Sequence, residues 1–252
     1  MLPVTSSTSP VPHIPDSETV SGIGEIPSPK EVKAFHDALL SGNDVAALLG
    51  IDNAFKTIAK SITSFLESDP DENPWVHGKP IQEIIEVVAY DPQWNIIGKQ
   101  TADTIKEALG DVALNIVHVG STAVPGLSAK PVIDIDLIVK EPASEETYLP
   151  ALEKLGYDLT VREPSYYQHR CLRLATPRVN VHIFGPECPE HIRHILFRDW
   201  LRNHSSDREL YMQAKNKAID NVNVSNVMDY NQRKQQAVRE IYQRIFEDKK
   251  LL

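Results

Sequence analysis

Cysteine is nearly missing from this chain: 252 residues hold two, Cys171 and Cys188. So sparse a pair cannot make the disulfide framework of a small secreted domain, and the expected compartment is the reducing cytoplasm. Long apolar runs are missing too. None approaches the ~20 residues of a membrane span, so no membrane partner is expected. The opening MLPVTSSTSPVPHIPDSE has neither the early Lys or Arg nor the apolar stretch of a secretory signal. Arginine is absent from residues 1–161, which hold 10 Lys against 24 Asp or Glu, whereas residues 162–252 hold 16 Lys or Arg against 11 acids. The net charge of −9 argues against general nucleic-acid binding, which rewards clustered cations. The skew puts every guanidinium, the group best shaped to grip phosphate or carboxylate, in the C-terminal half. Either surface composition drifts along the chain, or that half supplies the cationic wall of an anion site.

What is present falls into three parts. Residues 1–28, rich in Pro, Ser and Thr, read as a disordered tail. Residues 29–80 read as a helical extension and linker. Ser28-Pro29 caps an amphipathic run that stops at Gly42, and Phe55, Ile58, Ile62 and Phe65 mark a second helix from Asp52 to Glu67. SDPDENPWVHGKP then reads as a linker. From residue 81 onward, strands at 84–88, 115–119, 132–139, 157–161, 168–174 and 179–184 alternate with helices at 91–109 and 144–155. Three helices follow, at 189–203, 207–221 and 227–246. The expected fold class is α/β (α+β), a mixed β-sheet flanked by helices packed on one face, with C-terminal helices and an N-terminal helical extension.

The chemistry concentrates in HVGSTAVPGLSAKPVIDIDLIV, residues 118–139. Strand alternation puts Ile133, Ile135 and Leu137 on one face and Asp134 and Asp136 on the other, with Cα atoms ~6.5–7 Å apart. Two carboxylates that close resist joint ionisation unless a cation lies between them. A divalent metal with oxygen ligands, Mg²⁺ first and Mn²⁺ second, would resolve the conflict. Gly120-Ser121 follows an apolar strand, where backbone N–H groups and a hydroxyl suit phosphate. A phosphate loop beside a metal-holding carboxylate pair is the minimum equipment for phosphoryl or nucleotidyl transfer.

The same segment resembles the signature of the GrpB family of the nucleotidyltransferase superfamily. IEVVAYDPQW at 85–94, LEKLGYDL, the strand holding His169-Arg170, HIRHILFRDWLRNH and Tyr230-x-x-x-Lys234 extend the resemblance over residues 81–246. It implies a nucleotidyltransferase-like mixed sheet, with Gly120 and Ser121 at the phosphates and Asp134 and Asp136 at the metal. It also places Arg170, rather than the opposite-facing Arg173, in the pocket. Residues 1–80 find no counterpart.

One departure matters. The superfamily adds a third carboxylate from a later strand, and here that strand, Arg178–Phe184, has no acid. Asn180 and His182 alternate onto one face instead. His182 is a candidate general base or unusual metal ligand, or else a hydrogen-bonded sheet histidine. Lys130 either reaches a phosphate or is solvated. Tyr166-Tyr167 either stack on a base or pack. His191 and His194, at i, i+3 without a third ligand, read as a wet helix face, and Tyr230 with Lys234 as packing. No Ser-His-Asp motif or zinc-ligand spacing occurs. Two functions remain open. One is an Mg²⁺-dependent enzyme using an NTP, ATP first, to transfer a nucleoside monophosphate to a small-molecule or protein acceptor, or to adenylate a carboxylate. The other is a catalytically degenerate nucleotide- or anion-binding module.

Overall fold

The computed structural model describes residues 26–80, 85–220 and 227–252. Of the expected disordered tail, 1–25 lie outside these, and 26–28 lead into the first helix, α1 (Pro29–Leu40). Its start is a reciprocal capping box: the Ser28 hydroxyl accepts from the Glu31 N–H, and the Glu31 carboxylate accepts from the Ser28 N–H. A short α2 (Ala46–Ile51) precedes α3 (Asn53–Thr63), which Asp52 caps through the Ala54 N–H. The helix expected to run to Glu67 thus stops early. The cause is Arg193, a side chain with no exposed surface, whose Nη1 donates to the carbonyls of Ser61, Ile62 and Ser64. A guanidinium from elsewhere in the chain satisfies groups that another helical turn would otherwise have taken.

The segment read as a linker is attached. Val76 donates to Thr160 and Arg162 to Pro74, so residues 74–76 line the edge of the sheet and cover groups that an open edge would present. The strand expected at 84–88 does not form over its described residues, 85–88. Ile84 lies outside the described residues, and of the rest only Val88 pairs, in an isolated bridge with Ala129.

The remaining elements are α4 (Gln93–Leu109), β1 (Asn115–Val119), β2 (Ile133–Ile138), α5 (Leu149–Lys154), β3 (Asp158–Glu163), β4 (His169–Leu174), β5 (Val179–Phe184), α6 (Pro189–Asn203), α7 (Ser205–Asp220) and α8 (Val227–Asp248). The helix expected over 144–155 is split. Pro150 sits in the first turn of α5, after a separate single turn at Glu145–Thr147, because proline fits a helix start and not its interior. The five strands form one mixed sheet in the order β1-β2-β5-β4-β3, with only β2 and β5 parallel.

Register decides what meets on each face. Asp134 lies beside Asn180 and Asp136 beside His182; His182 in turn pairs with Cys171, Asn180 with Arg173, and His169 with Glu163. Polar groups from four strands thus share one face. The other face carries Ile133, Ile135, Leu137, Val181 and Ile183, packed under Trp94 and Ile105 of α4 and Leu152 of α5. Helices are not confined to that side, as expected, because α6 crosses the polar face. A second core joins Phe35, Leu39, Ile58 and Ile62 of the extension to Ile192, Leu196, Ile241 and Ile245 of α6 and α8. No helix among the described residues is long and apolar enough to cross a membrane.

Arg193 therefore clamps the extension to the domain. Replacing it with Met strands three carbonyls and the Glu190 carboxylate, which it also holds. Arg193→Met should lower stability by about 3–5 kcal/mol in urea unfolding and speed limited proteolysis within residues 26–80. Unchanged proteolysis there would mean that apolar packing alone holds the extension.

Candidate active site

Gly120 ends β1 with φ +71, and a Cβ there would lie 2.6 Å from the Asp134 carboxylate. Only glycine lets the loop pass so close to β2. The one-turn helix Ser121–Ala123 follows. Two arginines of α6 hold this loop by its carbonyls, Arg198 at His118 and Arg202 at Ala123.

The loop overlooks a two-lobed cleft. One lobe, about 510 Å³, lies over the polar face and is lined by Lys130, Asp134, Asn180, His182, Arg173 and Trp75, among others. The second, about 480 Å³, lies among the helices. Gly120, Ser121, His194, Asn231 and Lys234 line both. Each lobe falls in the size range of small-molecule sites.

Asp134 stays open to the first lobe. Its Oδ1 accepts from the Asn180 amide at 2.9 Å and lies 3.8 Å from His182 Nε2. Burial works against its ionisation, but His182, Asn180 and Lys130 outweigh that and hold its carboxyl below the usual range. Asp136 is different. It is fully buried, and its carboxylate lies against His191 Nδ1 at 2.9 Å and His194 Nδ1 at 3.0 Å. Burial again opposes the charge, and the two histidines override it, holding Asp136 far below the usual carboxylate range. His194 rises well above the ordinary histidine value: burial disfavours the imidazolium, while Asp136 and Glu190 favour it more strongly.

The expectation that Asp136 faces a metal is therefore corrected. The supposed wet helix face packs against this carboxylate instead, His191 in hydrogen-bond contact and His194 supplying the counter-charge. Among the described residues no three His, Cys, Asp or Glu side chains converge to hold a metal, and a resident metal pair held by Asp134 and Asp136 does not fit this arrangement. Arg170 is also displaced. It points to the opposite face, where its Nε donates to Glu145 at 2.6 Å beside Arg162. Arg173 lines the cleft instead, and its buried Nε finds no hydrogen-bond partner among the described residues.

Sequence reasoning missed two groups. The first is a relay across the sheet. Glu163 Oε2 lies 2.7 Å from His169 Nδ1, and His169 Nε2 lies 3.0 Å from His182 Nδ1. The Glu163 carboxyl is held below its usual range, His169 outweighing burial, and His169 is itself lowered, mainly by burial. An ionised carboxylate only accepts, so His169 donates from Nδ1 and accepts at Nε2. His182 must then donate from Nδ1, and its Nε2 lies 3.8 Å from Asp134 Oδ1. The second group is Lys215, almost wholly buried. It donates to the Ser128 carbonyl and lies 3.3 Å from the Ser121 hydroxyl, with Tyr211 beneath it. Its signal was a lysine inside the apolar stripe Tyr211-x-x-x-Lys215-x-x-Ala218 of α7. Lys234 rests over Tyr230 and donates to the Tyr211 hydroxyl, so both read as cleft lining beyond mere packing. Tyr166 lines the second lobe, whereas Tyr167 accepts from Arg193. Both cysteine thiols are pushed up to about 12 by burial and are inert as nucleophiles.

A family model described as GrpB protein matches residues 84–244. The chain belongs to the GrpB family. A UPF0157 protein of Halalkalibacterium halodurans is 42% identical over 166 residues, which span 66% of this chain and 85% of that protein. The GrpB crystal structure from Enterococcus faecalis matches with a TM-score of 0.48 and 27% identity, over 62% of this chain and 99% of that one. A dephospho-CoA kinase of Mycolicibacterium paratuberculosis is 30% identical over 175 residues, 58% of this chain and 43% of that protein. The GrpB match begins after the N-terminal helices, so Arg193 and the relay lie within the family region while α1–α3 lie outside it.

Burial, with Lys234 adding to it, lowers the Lys215 amine to about 6. Unfolded lysine titrates near ~10.4. Between those values the unfolded chain binds a proton that the folded chain lacks, so Lys215 costs stability, and the cost shrinks as pH rises. Thermal melts of Lys215→Met without ligand should show a higher Tm, with a larger gain at pH 7 than at pH 9. No gain would mean that the amine is charged in the fold.

Proposed function

We propose that this GrpB protein is a nucleotidyltransferase-like enzyme that takes an NTP, ATP first, and transfers its nucleoside monophosphate to a small-molecule or protein acceptor. The observation that carries this reading is the Glu163–His169–His182 relay, which ends at His182 Nε2, 3.8 Å from Asp134 and in the same cleft as the Gly120-Ser121 loop; with His182 neutral, that nitrogen is a proton acceptor. The relay stands where the superfamily's third carboxylate was missed. It offers a proton acceptor backed by a half-buried carboxylate two side chains away.

In the proposed step the acceptor hydroxyl oxygen attacks the α-phosphorus and its proton passes to His182 Nε2. The bond from the α-phosphorus to the bridging oxygen breaks, and pyrophosphate leaves. Ser121, Lys215, Lys234 and His194 surround the place for that anion, and Lys215 would take up a proton as phosphate neutralises its surroundings. Asn180 holds Asp134, and Arg173 has a donor to spare for an acidic acceptor. A carboxylate acceptor would need no proton transfer and would leave as an acyl adenylate. An Mg²⁺ ion would arrive with the triphosphate, which asks for only one or two protein carboxylates, and Asp134 with Lys130 nearby is the place for that complex. The similarity to a dephospho-CoA kinase puts a related region beside phosphoryl chemistry in another protein.

A second reading, a nucleotide- or anion-binding module without turnover, is favoured by one observation: Asp136 is sealed by His191 and His194. Thermal-shift titration of wild type and Asp134→Asn with the four NTPs, each with Mg²⁺, Mn²⁺ or EDTA, separates the two. Ligand that binds only the folded state raises Tm by mass action. A metal-dependent shift lost in Asp134→Asn, together with pyrophosphate release, supports the enzyme. A shift that survives EDTA without pyrophosphate release supports the module, and no shift with any NTP rejects the enzyme and leaves a module for small anions.

The relay makes its own prediction. A Gln amide at 163 can donate to His169 and reverse every tautomer, leaving His182 Nε2 protonated. Glu163→Gln should therefore lower kcat about 10²–10⁴-fold with little change in KM for the NTP and an intact nucleotide-induced melting shift. A loss confined to KM would show that Glu163 merely shapes the pocket.

A further inference from the structure

The second lobe is built differently from the first. Five aromatic side chains line it, Phe65, Tyr166, Phe197, Tyr211 and Tyr242, in a protein where aromatic residues make up 7% of the chain. Their rings meet at steep angles, Phe65 edge-on to Tyr242 at 5.3 Å and Phe197 perpendicular to Tyr211 at 5.2 Å. Together they give the lobe an aromatic lining contributed by the extension, the β3–β4 turn, α6, α7 and α8. The helix α8 runs along both lobes, presenting Asn231 and Lys234 at the junction and then Gln235, Val238 and Tyr242. These positions follow the i, i+3, i+4 rhythm of one helical face. From Lys234 to Tyr242, about 12 Å of helical rise, α8 adds Val238 and Tyr242 to the lining, with Arg239 laid over the Phe65 ring.

Phe65, Leu66 and Glu67 close the lobe from the side of the N-terminal extension. Arg193 fixes the carbonyl of Ser64 just before them, and the guanidiniums of Arg239 and Arg193 lie over the Phe65 ring at 3.7 and 5.2 Å. This wall is preset, and it belongs to the part of the chain outside the GrpB match at 84–244.

We infer that the second lobe is the nucleobase subsite, in which a planar heteroaromatic base lies among Phe65, Phe197 and Tyr242 while its phosphates reach back past Lys234 to Ser121. This rests on the reading of the junction as a triphosphate site. Three features assign the base to this lobe and the acceptor to the other. Stacking surfaces recognise any base by its π-face. Gln235 offers an amide whose donor and acceptor can pair with a base edge. His182 and Arg173, the groups that would handle an acceptor, open only onto the first lobe. The N-terminal extension thereby supplies one wall of the base subsite.

The test is calorimetric titration of the full chain with inorganic tripolyphosphate and with each NTP. Wild type is compared with Leu66→Trp, which fills the lobe from a position already 44% exposed, and with Phe65→Ala. Circular dichroism checks that each variant is folded. Wild type should bind at least one NTP about tenfold or more tightly than tripolyphosphate, the margin expected of one stacked base. Both variants should lose that margin while holding tripolyphosphate as before. Variants that keep the margin, or a wild type that has none, would overturn the base assignment while leaving the triphosphate reading in place. A protein that binds neither probe would overturn both.

Discussion

The buried Asp136 carboxylate, held between His191 and His194, is the constraint on which the rest of the molecule depends. A charge with no exposed surface cannot persist in the fold without a partner, and this one sits on β2, an interior strand of the sheet. Its partners come from α6, so the ion pair locks that helix across the polar face. α6 then acts as a hub. Arg193 reaches back to the extension, Arg198 and Arg202 reach forward to the Gly120 loop, and His194 enters the cleft. One helix therefore places the counter-charge, the candidate phosphate loop and the N-terminal wall relative to one another.

The same economy of charge shapes the cleft. Two aspartates on alternate positions of one strand would repel each other unless cations intervened. The protein supplies the cations itself, unequally: Asp136 is neutralised from behind by histidines, and Asp134 is left open with an amide and an imidazole beside it. The carboxylates are alike in sequence and differ in use. Around the open one lie Arg173, whose buried Nε has no hydrogen-bond partner among the described residues, and Lys215, whose amine burial lowers to about 6. Buried donors left partly unsatisfied cost stability in the empty protein. An anion that satisfied them would recover that cost on binding, which is how a site can be prepared before its ligand arrives.

Local signals were legible wherever local chemistry decides. The span of β1, the start of α1 at Ser28-Pro29, the stop of α4 at Gly110 and the boundaries of α6 follow from alternation, caps and helix breakers, all written within a few residues. Where a distant group intervened, the reading failed. α3 stops at Thr63 because Arg193 takes its last carbonyls. The linker is ordered because the edge of β3 accepts it. The strand at 84–88 is reduced to one bridge because its neighbour there is the single residue Ala129.

The candidate site divides along the same line. Alternation and glycine stereochemistry by themselves determined that Asp134 shares a strand face with Asp136, that Asn180 and His182 share another, and that Gly120-Ser121 forms the loop at the strand end. Tertiary structure alone decided that Asp136 is sealed and Asp134 open, since the histidines that seal it lie 55 and 58 residues away. It alone decided that Arg173 and not Arg170 faces the cleft, and that Glu163 reaches His182 through His169. A strand's own sequence states which side chains lie together. Which of its two faces becomes a cavity depends on the register and packing of neighbours, which no short stretch of chain encodes.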